Sequence, residues 1–279
     1  MNARLLIAAA LALALSAPAA GFGRLGDAEN LLRIGKRAAD SQKEITTEEE
    51  IELGRGIAAN VFGAAPLVRD EALQRYVNRV GSWLAMHTER PDLPWRFGVV
   101  DSSDVNAFAL PGGTIVITAG LYDRLRDESE LAAVLAHEIS HVVEKHQVKA
   151  IQKAMGQDFA NEMAGEAIGR SDNELVRRFG GKAFKAGTEV LARGLDKQDE
   201  YQADRHGMVI AARAGYNPFA MAGVLQTLDS SGPQDRAMAL MFSTHPTAAS
   251  RLEMLESSVG TRLDAYAGAP TPDRMYRPR

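Results

Sequence analysis

The 279-residue sequence contains no cysteine and has no excess of basic charge. Without cysteine the chain cannot form disulfides, use a thiol nucleophile, bind zinc through thiolates or carry a lipid on an N-terminal cysteine. Its 32 basic and 36 acidic side chains give a formal net charge of −4, so nothing points to a nucleic-acid partner. Any zinc site in this chain must therefore be built from histidine and carboxylate side chains.

Apart from one short run at the N-terminus, no segment is long and apolar enough to cross a membrane. Arg4 makes that end positive, residues 5–15 are too few to span a bilayer comfortably, and Ala17-Pro18-Ala19 fits an A-x-A cleavage site. We therefore predict a signal peptide over 1–20 and an exported chain, periplasmic if the source is a Gram-negative bacterium. An uncleaved membrane anchor is the alternative, and peripheral membrane association stays open.

The stretch 131–146, LAAVLAHEISHVVEKH, contains an H-E-x-x-H motif at His137, Glu138 and His141. Two imidazoles four residues apart share one face of a helix, with Cβ atoms about 6 Å apart, so both can bind one metal ion. Glu138 can stand beside that metal and take a proton from the attacking water. The apolar neighbours predict a buried helix, where these polar groups are unfavourable unless a metal satisfies them. A core helix whose histidines bond to the backbone is the alternative.

Two histidines are too few for a zinc site, which needs at least one more protein ligand and an open position. The metzincin pattern would require glycine at position 144 and histidine at 147, but the chain has Glu144 and Gln147. His146 lies about half a turn round a continuous helix from His137, and Glu144 lies two turns away. Neither is expected to share the metal.

A second predicted helix, over 197–214, carries E-x-x-x-D at Glu200 and Asp204. This spacing puts both carboxylates on one helix face. One can bind metal, and the other can accept the remaining N–H of a ligand imidazole, which fixes its tautomer. We favour Glu200 as the ligand. A solvated acidic face is the alternative, because Asp196 and Asp199 are nearby.

Three short strands are predicted just before the H-E-x-x-H helix, over 95–100, 106–110 and 114–118. The edge strand of a small sheet can pair with an extended peptide and lay it across the metal. We therefore predict that Asn106 and Ala107 bind substrate through main-chain hydrogen bonds. The alternative is that the hairpin only covers the core.

Helix-start signals organise the rest of the chain. Capping boxes are predicted at 47–50 and 127–130, and further helices begin near Asp70 and Thr247. We predict an N-terminal helical arm over 21–45, one main domain over 46–265 and a disordered tail over 266–279. The small residues of 147–195 suggest two helices with a flexible link and carry no motif.

Four segments together resemble the M48 peptidases, the Ste24, HtpX and Oma1 type of gluzincin: NAFALPGGTIVITAGL, AHEISHVVEKH, DEYQADRHG and STHPTAASR. The resemblance covers about residues 46–260, in the same order. The predicted signal peptide and the lack of transmembrane helices make the chain similar to the soluble periplasmic members. The prenyl-protein processing of the integral-membrane members therefore does not carry over.

The resemblance implies a mainly α, α+β fold, a gluzincin-like metallopeptidase domain with a small sheet packed against the H-E-x-x-H helix. It also implies one zinc ion per chain, bound by His137, His141 and Glu200. Asp204 would orient a ligand histidine, and Glu138 would be the general base.

Three further residues match the family pattern. His245 is implied to lie near the metal, where it would donate to the oxyanion or block the open zinc position. His146 is expected to have a structural role. Arg251 also matches, but chemistry alone suggests no role for it.

These observations predict a zinc metalloendopeptidase. By analogy with the family, its substrates are unfolded or misassembled exported polypeptides. One alternative is a zinc-stabilised, chaperone-like protein that holds clients without cutting them, although the intact base Glu138 argues against a pure binder. The other is a latent protease, closed by residues 147–195 or by the His245 loop.

Overall fold

The structure is a computed structural model that describes residues 44–162, 191, 193–231, 235–267 and 275–278. The predicted signal peptide and nearly all of the predicted N-terminal arm lie outside the described residues. So does most of the Gly- and Ala-rich segment after residue 162.

Helix α1 (Thr47–Ala64) opens the described domain. Its capping box lies one residue before the predicted one: the Glu49 N–H donates to Thr46 Oγ1, and the Thr46 N–H donates to Glu49 Oε2. Glu50 is instead buried, where its carboxylate accepts from Arg90 at 2.7 Å and from the Gly112 N–H at 3.1 Å. This pairing ties α1 to the turn of the later hairpin, a long-range contact that a local pattern does not reveal.

Helix α2 (Glu71–Ala85) begins after Asp70, as predicted. The Asp70 carboxylate caps it by accepting from the Leu73 N–H at 3.0 Å. The apolar residues at helical spacing, among them Val77 and Leu84, are fully buried against the sheet and the central helix.

A three-stranded sheet follows, each strand within one residue of its predicted bounds. It consists of β1 (Arg96–Val100), β2 (Ala107–Leu110) and β3 (Thr114–Thr118), in the order β1-β3-β2. Strand β1 runs parallel to β3, and β2 runs antiparallel to it. Strand β2 is thus an edge strand, as the predicted substrate role requires.

The short helix α3 (Ala119–Tyr122) leads from the sheet to α4 (Glu128–Val143), which carries the H-E-x-x-H motif. Asp127 caps α4, but only half of the predicted capping box forms. The Glu130 carboxylate accepts from the backbone N–H and the Nε of Arg126 instead, both at 2.6 Å. Every residue from position 128 to 142 is buried, as the apolar composition predicts.

Five helices complete the part of the domain that the structure describes: α5 (His146–Glu162), α6 (Lys197–Arg213), α7 (Ala220–Ser231), α8 (Ala239–Thr244) and α9 (Ala248–Val259). Thr247 caps α9, as predicted. Helix α6 packs most extensively on α4, and both α7 and α9 contact this pair. The predicted mainly α, α+β fold with a small sheet against the H-E-x-x-H helix is confirmed. Among the described residues, no helix combines the length and apolar character that crossing a bilayer requires.

Residues 275–278 fall in the stretch predicted to be disordered, yet they pack against the domain. The Tyr122 hydroxyl donates to the Tyr276 carbonyl, and the Tyr276 hydroxyl donates to Asp70 Oδ2 at 3.0 Å. These contacts leave no periodic signal in a proline-rich segment, so the sequence pattern does not reveal them.

One glycine sets how closely α6 approaches α4. A Cβ on Gly207 would lie 3.0 Å from the backbone N of His137 and 3.1 Å from its Cα. Both atoms belong to a helix that is buried all round, so they have little room to move. Gly207 therefore allows the side chains of α6 to reach the histidines of α4.

Gly207→Ala is expected to lower the free energy of unfolding by about 1–2 kcal/mol. Overpacking costs about 1–3 kcal/mol, and the better helix propensity of alanine offsets up to about 1 kcal/mol of it. The control is Gly63→Ala in α1, where a new Cβ meets nothing within 4 Å. That control should stabilise the protein by about 0.5–1 kcal/mol in urea unfolding. Equal effects of the two substitutions would show that α6 shifts freely on α4.

Candidate metal centre

The two motif histidines point toward α6 and bring their Nε2 atoms to 3.1 Å from each other. Glu200 of α6 reaches both rings: its Oε1 lies 3.4 Å from His141 Nε2, and its Oε2 lies 3.6 Å from His137 Nε2. All three residues are at most 3% exposed. The structure thus brings the three predicted ligands together at one buried point.

The geometry of this point fits zinc. A tetrahedral zinc ion with nitrogen and oxygen ligands at about 2.0–2.1 Å holds them about 3.3–3.4 Å apart. The observed separations of 3.1, 3.4 and 3.6 Å bracket that value. Two imidazoles and one carboxylate also match the preference of zinc for nitrogen and oxygen donors, and a cation would satisfy polar groups that are otherwise costly to bury.

His245 is a further polar group at the same point. It lies in the turn between α8 and α9, and its Nδ1 is 2.6 Å from Glu200 Oε2. The ligand atoms of His137, Glu200 and His245 all lie within 4.8 Å of one another. His245 therefore occupies the side of the site where a fourth ligand or a substrate carbonyl would lie.

Asp204 holds the far side of the His137 ring, one helix turn from Glu200. The His137 Nδ1 lies 2.9 Å from Asp204 Oδ1, so an Nδ1–H that donates to this carboxylate leaves the Nε2 lone pair free. Arg251 of α9, for which the sequence suggests no role, binds the same carboxylate. Its Nε and Nη2 donate to the two oxygens of Asp204 at 2.8 and 2.5 Å. Although burial acts to raise the pKa of the Asp204 carboxyl, Arg251 holds it well below its ordinary value.

His141 has a different partner at Nδ1. The sequence predicts one continuous helix through residue 146, but α4 ends at Val143 and Lys145 adopts a left-handed conformation with φ 58°. The chain turns back there, so His146 Nδ1 lies 2.9 Å from His141 Nδ1. The position predicted for His146, half a turn away on a continuous helix, is thus wrong. No glycine or proline marks this break in the sequence.

Glu138 stands beside the candidate ligands without joining them. It lines a cavity of about 30 Å³, and the residue is 3% exposed. Burial raises the pKa of the Glu138 carboxyl, which moves it toward the range suited to a general base at neutral pH. The other walls of the cavity are mostly apolar and include Leu121, Val134, Met221, Val224, Leu225 and Leu228.

The predicted substrate residues lie next to this cavity. Ala107 lines it together with His137 and Glu138, so edge strand β2 passes beside the candidate metal centre. The Thr118 N–H donates to the Asn106 carbonyl. In an antiparallel ladder the main-chain groups of the following residue, Ala107, then point away from the partner strand. The Ala107 N–H accordingly donates to Asn106 Oδ1 at 2.9 Å. The Asn106 side chain thus covers the edge group that a peptide would use.

The two motif histidines differ in their affinity for protons. Burial holds the pKa of His141 well below its ordinary value. At His137 burial and Arg251 act in the same direction, but hydrogen bonds to Asp204 and Glu200 outweigh them and raise the pKa to about 9. At neutral pH the proton of this pair therefore resides on His137, and a metal ion must displace it.

Comparisons with known proteins identify related sequences. A family model described as peptidase family M48 matches residues 71–259. The beta-barrel assembly-enhancing protease of Escherichia coli (strain K12) is 30% identical over 229 residues, which cover 81% of this chain and 46% of that protein. Its namesake from Yersinia pestis is 31% identical over 256 residues, 90% of this chain and 52% of that protein.

A more distant relative is the mitochondrial metalloendopeptidase OMA1 of Schizosaccharomyces pombe. It is 26% identical over 224 residues, which cover 79% of this chain and 59% of that protein. The chain spans about half the length of the curated relatives it matches.

Zinc binding at pH 7–8 is expected to release about one proton per ion, because His137, with a pKa of about 9, must become neutral to bind. The apparent affinity should rise about tenfold per pH unit below that pKa and level off above it, where the competing proton is already lost. Chelator competition at several pH values gives the slope, and calorimetry in buffers of different ionisation enthalpy counts the protons. An affinity independent of pH would contradict the raised pKa.

Proposed function

The chain belongs to peptidase family M48, and from that premise we propose that it is a zinc metalloendopeptidase that cleaves exported polypeptides. Membership of this family implies a metal cofactor. The observation that carries the proposal is the meeting of His137, His141 and Glu200 at separations of 3.1–3.6 Å beside the buried Glu138. This arrangement suits one zinc ion per chain, with an open side toward the cavity.

Each candidate residue then has a role that follows from its contacts. His137, His141 and Glu200 would hold the zinc ion, and Asp204 would orient His137. Bound there, zinc would polarise the scissile carbonyl and lower the pKa of the attacking water to about 7. Arg251 would stabilise the buried carboxylate of Asp204, because an unpaired buried charge is strongly unfavourable.

Glu138 would act as the general base. It would take a proton from the attacking water and pass it to the leaving amine. Its raised pKa supports both steps, since a carboxyl that titrates closer to neutral pH returns the proton more readily than an ordinary glutamate.

The substrate would bind as an extended strand along β2. A peptide carbonyl that replaces Asn106 Oδ1 as the acceptor of the Ala107 N–H would lie beside Glu138 and the metal point. With a volume of about 30 Å³, the apolar cavity would take only a small neighbouring side chain. Because main-chain pairing tolerates many sequences, unfolded or misassembled exported proteins suit this mode of binding.

Two of the relatives are named for enhancing beta-barrel assembly, and we extend to this chain a periplasmic role in the quality control of such proteins.

The second candidate is a latent form of the same protease, which the contact between His245 and Glu200 favours. At 2.6 Å this hydrogen bond engages an oxygen of a candidate ligand and places the ring on the open side of the site. To act instead as an oxyanion donor, the His245 ring would first have to move away from Glu200. The chaperone-like alternative, binding without cleavage, is separated from the active form by casein cleavage with the wild type and from the latent form by casein cleavage with the His245→Ala protein.

Glu138→Gln is expected to retain zinc and to lose casein cleavage by a factor of about 10²–10⁴, the usual contribution of a general base. The assay uses the zinc-loaded chain, with metal content measured beside the cleavage rate. Glu144→Gln, at the end of the same helix and outside the site, is the matched control and should cleave like the wild type. An active Glu138→Gln protein would overturn the mechanism. If zinc-loaded wild type binds casein without cutting it and the His245→Ala protein also fails to cut, the chaperone-like alternative is favoured.

His245→Ala is expected to raise casein cleavage about tenfold without changing the zinc content. Removing a hydrogen bond to a charged group frees roughly 1.5 kcal/mol that otherwise stabilises the closed form. His87→Ala, which removes a half-buried histidine that contacts Trp83 instead, serves as the control. Slower cleavage would instead assign His245 the oxyanion role, and an unchanged rate would exclude it from both.

A further inference from the structure

The two motif histidines are held at Nδ1 by unlike groups. His137 faces the carboxylate of Asp204, whereas His141 faces the Nδ1 of a second imidazole, His146, at 2.9 Å. Two ring nitrogens at this distance share one hydrogen, because one must donate and the other must accept. The tautomers of the two rings are therefore linked.

The direction of this hydrogen bond follows from the surroundings. His141 Nε2 points at His137 and Glu200, so a metal held there takes its Nε2 lone pair and leaves the proton on Nδ1. His146 must then accept at Nδ1 and carry its own proton on Nε2. That nitrogen faces two acceptors, Gln202 Oε1 at 3.4 Å and Asp199 Oδ1 at 3.7 Å. Both acceptors lie on α6, the helix that also carries Glu200.

The backbone is strained at the residue that brings His146 into place. Lys145 is the sole non-glycine residue with positive φ in the part of the chain that the structure describes, at 58°. A left-handed conformation costs a non-glycine residue about 1–2 kcal/mol. The turn lets α4 stop at Val143 and α5 start at His146, whose side chain is fully buried against the ring of His141.

We propose that His146 is a positioning residue of the metal site: as a neutral imidazole it accepts the Nδ1 proton of His141, and so fixes the tautomer and orientation in which His141 binds zinc. A carboxylate in this place would add another negative charge to a site that already buries Glu200, Glu138 and Asp204. A neutral acceptor orients the ring without that cost. The inference rests on the proposed function for the identity of the metal and is independent of peptide cleavage.

Two substitutions test the acceptor. His146→Leu fills much of the same space without an acceptor, whereas His146→Asn puts an amide oxygen close to the position of the histidine Nδ1. Zinc affinity, measured by competition with a chelator, should fall about 10–100-fold in the leucine variant. It should stay within about threefold of the wild type in the asparagine variant. His87→Leu, at a half-buried position that contacts Trp83, is the control for loss of a histidine.

Equal losses in the leucine and asparagine variants would mean that His146 acts by packing, and unchanged affinity in the leucine variant would mean that it has no role. Either result would overturn the proposal. If circular dichroism shows that a variant does not fold, ring-nitrogen NMR of the zinc-loaded wild type decides. It should show His141 protonated at Nδ1 and His146 protonated at Nε2 only, and a proton on His146 Nδ1 would refute the assignment. A protein that follows this affinity pattern but never cleaves casein would support the inference and reject the peptidase function.

Discussion

The close packing of α6 on α4 is the constraint on which the whole site depends. Gly207 lets the two backbones meet at His137, and the residues three and seven positions earlier on α6 lie on the same helix face. Asp204 therefore reaches the back of the His137 ring, and Glu200 reaches the front of both imidazoles. One helix in one register thus supplies the third candidate ligand and the orienting carboxylate together.

The buried surroundings shift the pKa values of the two glutamates in opposite directions. At Glu200 burial acts to raise the pKa, but His245 and His141 hold it well below its ordinary value, so the carboxylate stays charged and ready to bind a cation. At Glu138 burial prevails and the pKa is raised. The pKa values of the two glutamates are thus shifted in opposite directions, as the proposed roles of Glu200 as ligand and Glu138 as base require.

The sequence predicts well those side-chain positions that depend only on residue spacing within one helix or strand. The four-residue spacings that pair His137 with His141 and Glu200 with Asp204 place their side chains correctly without knowledge of the tertiary fold, and so does the strand pattern before them. The break after Val143 was missed because no helix-stopping residue marks it, and the role of Arg251 was missed because its partner lies 47 residues earlier. The capping errors at α1 and α4 have the same origin, since distant or flanking arginines compete for the glutamates.

The pairing of Arg251 with Asp204 also bears on the order in which the molecule is made. Arg251 follows His137 by 114 positions, and α9 joins a core whose other helices are synthesised earlier. A chain emerging from the ribosome holds all three candidate ligands well before the arginine that neutralises Asp204. High contact order of this kind delays assembly until late in synthesis. Asp204 and His137 thus gain their arginine partner only after α9 has docked, so the last of the described α-helices completes the site.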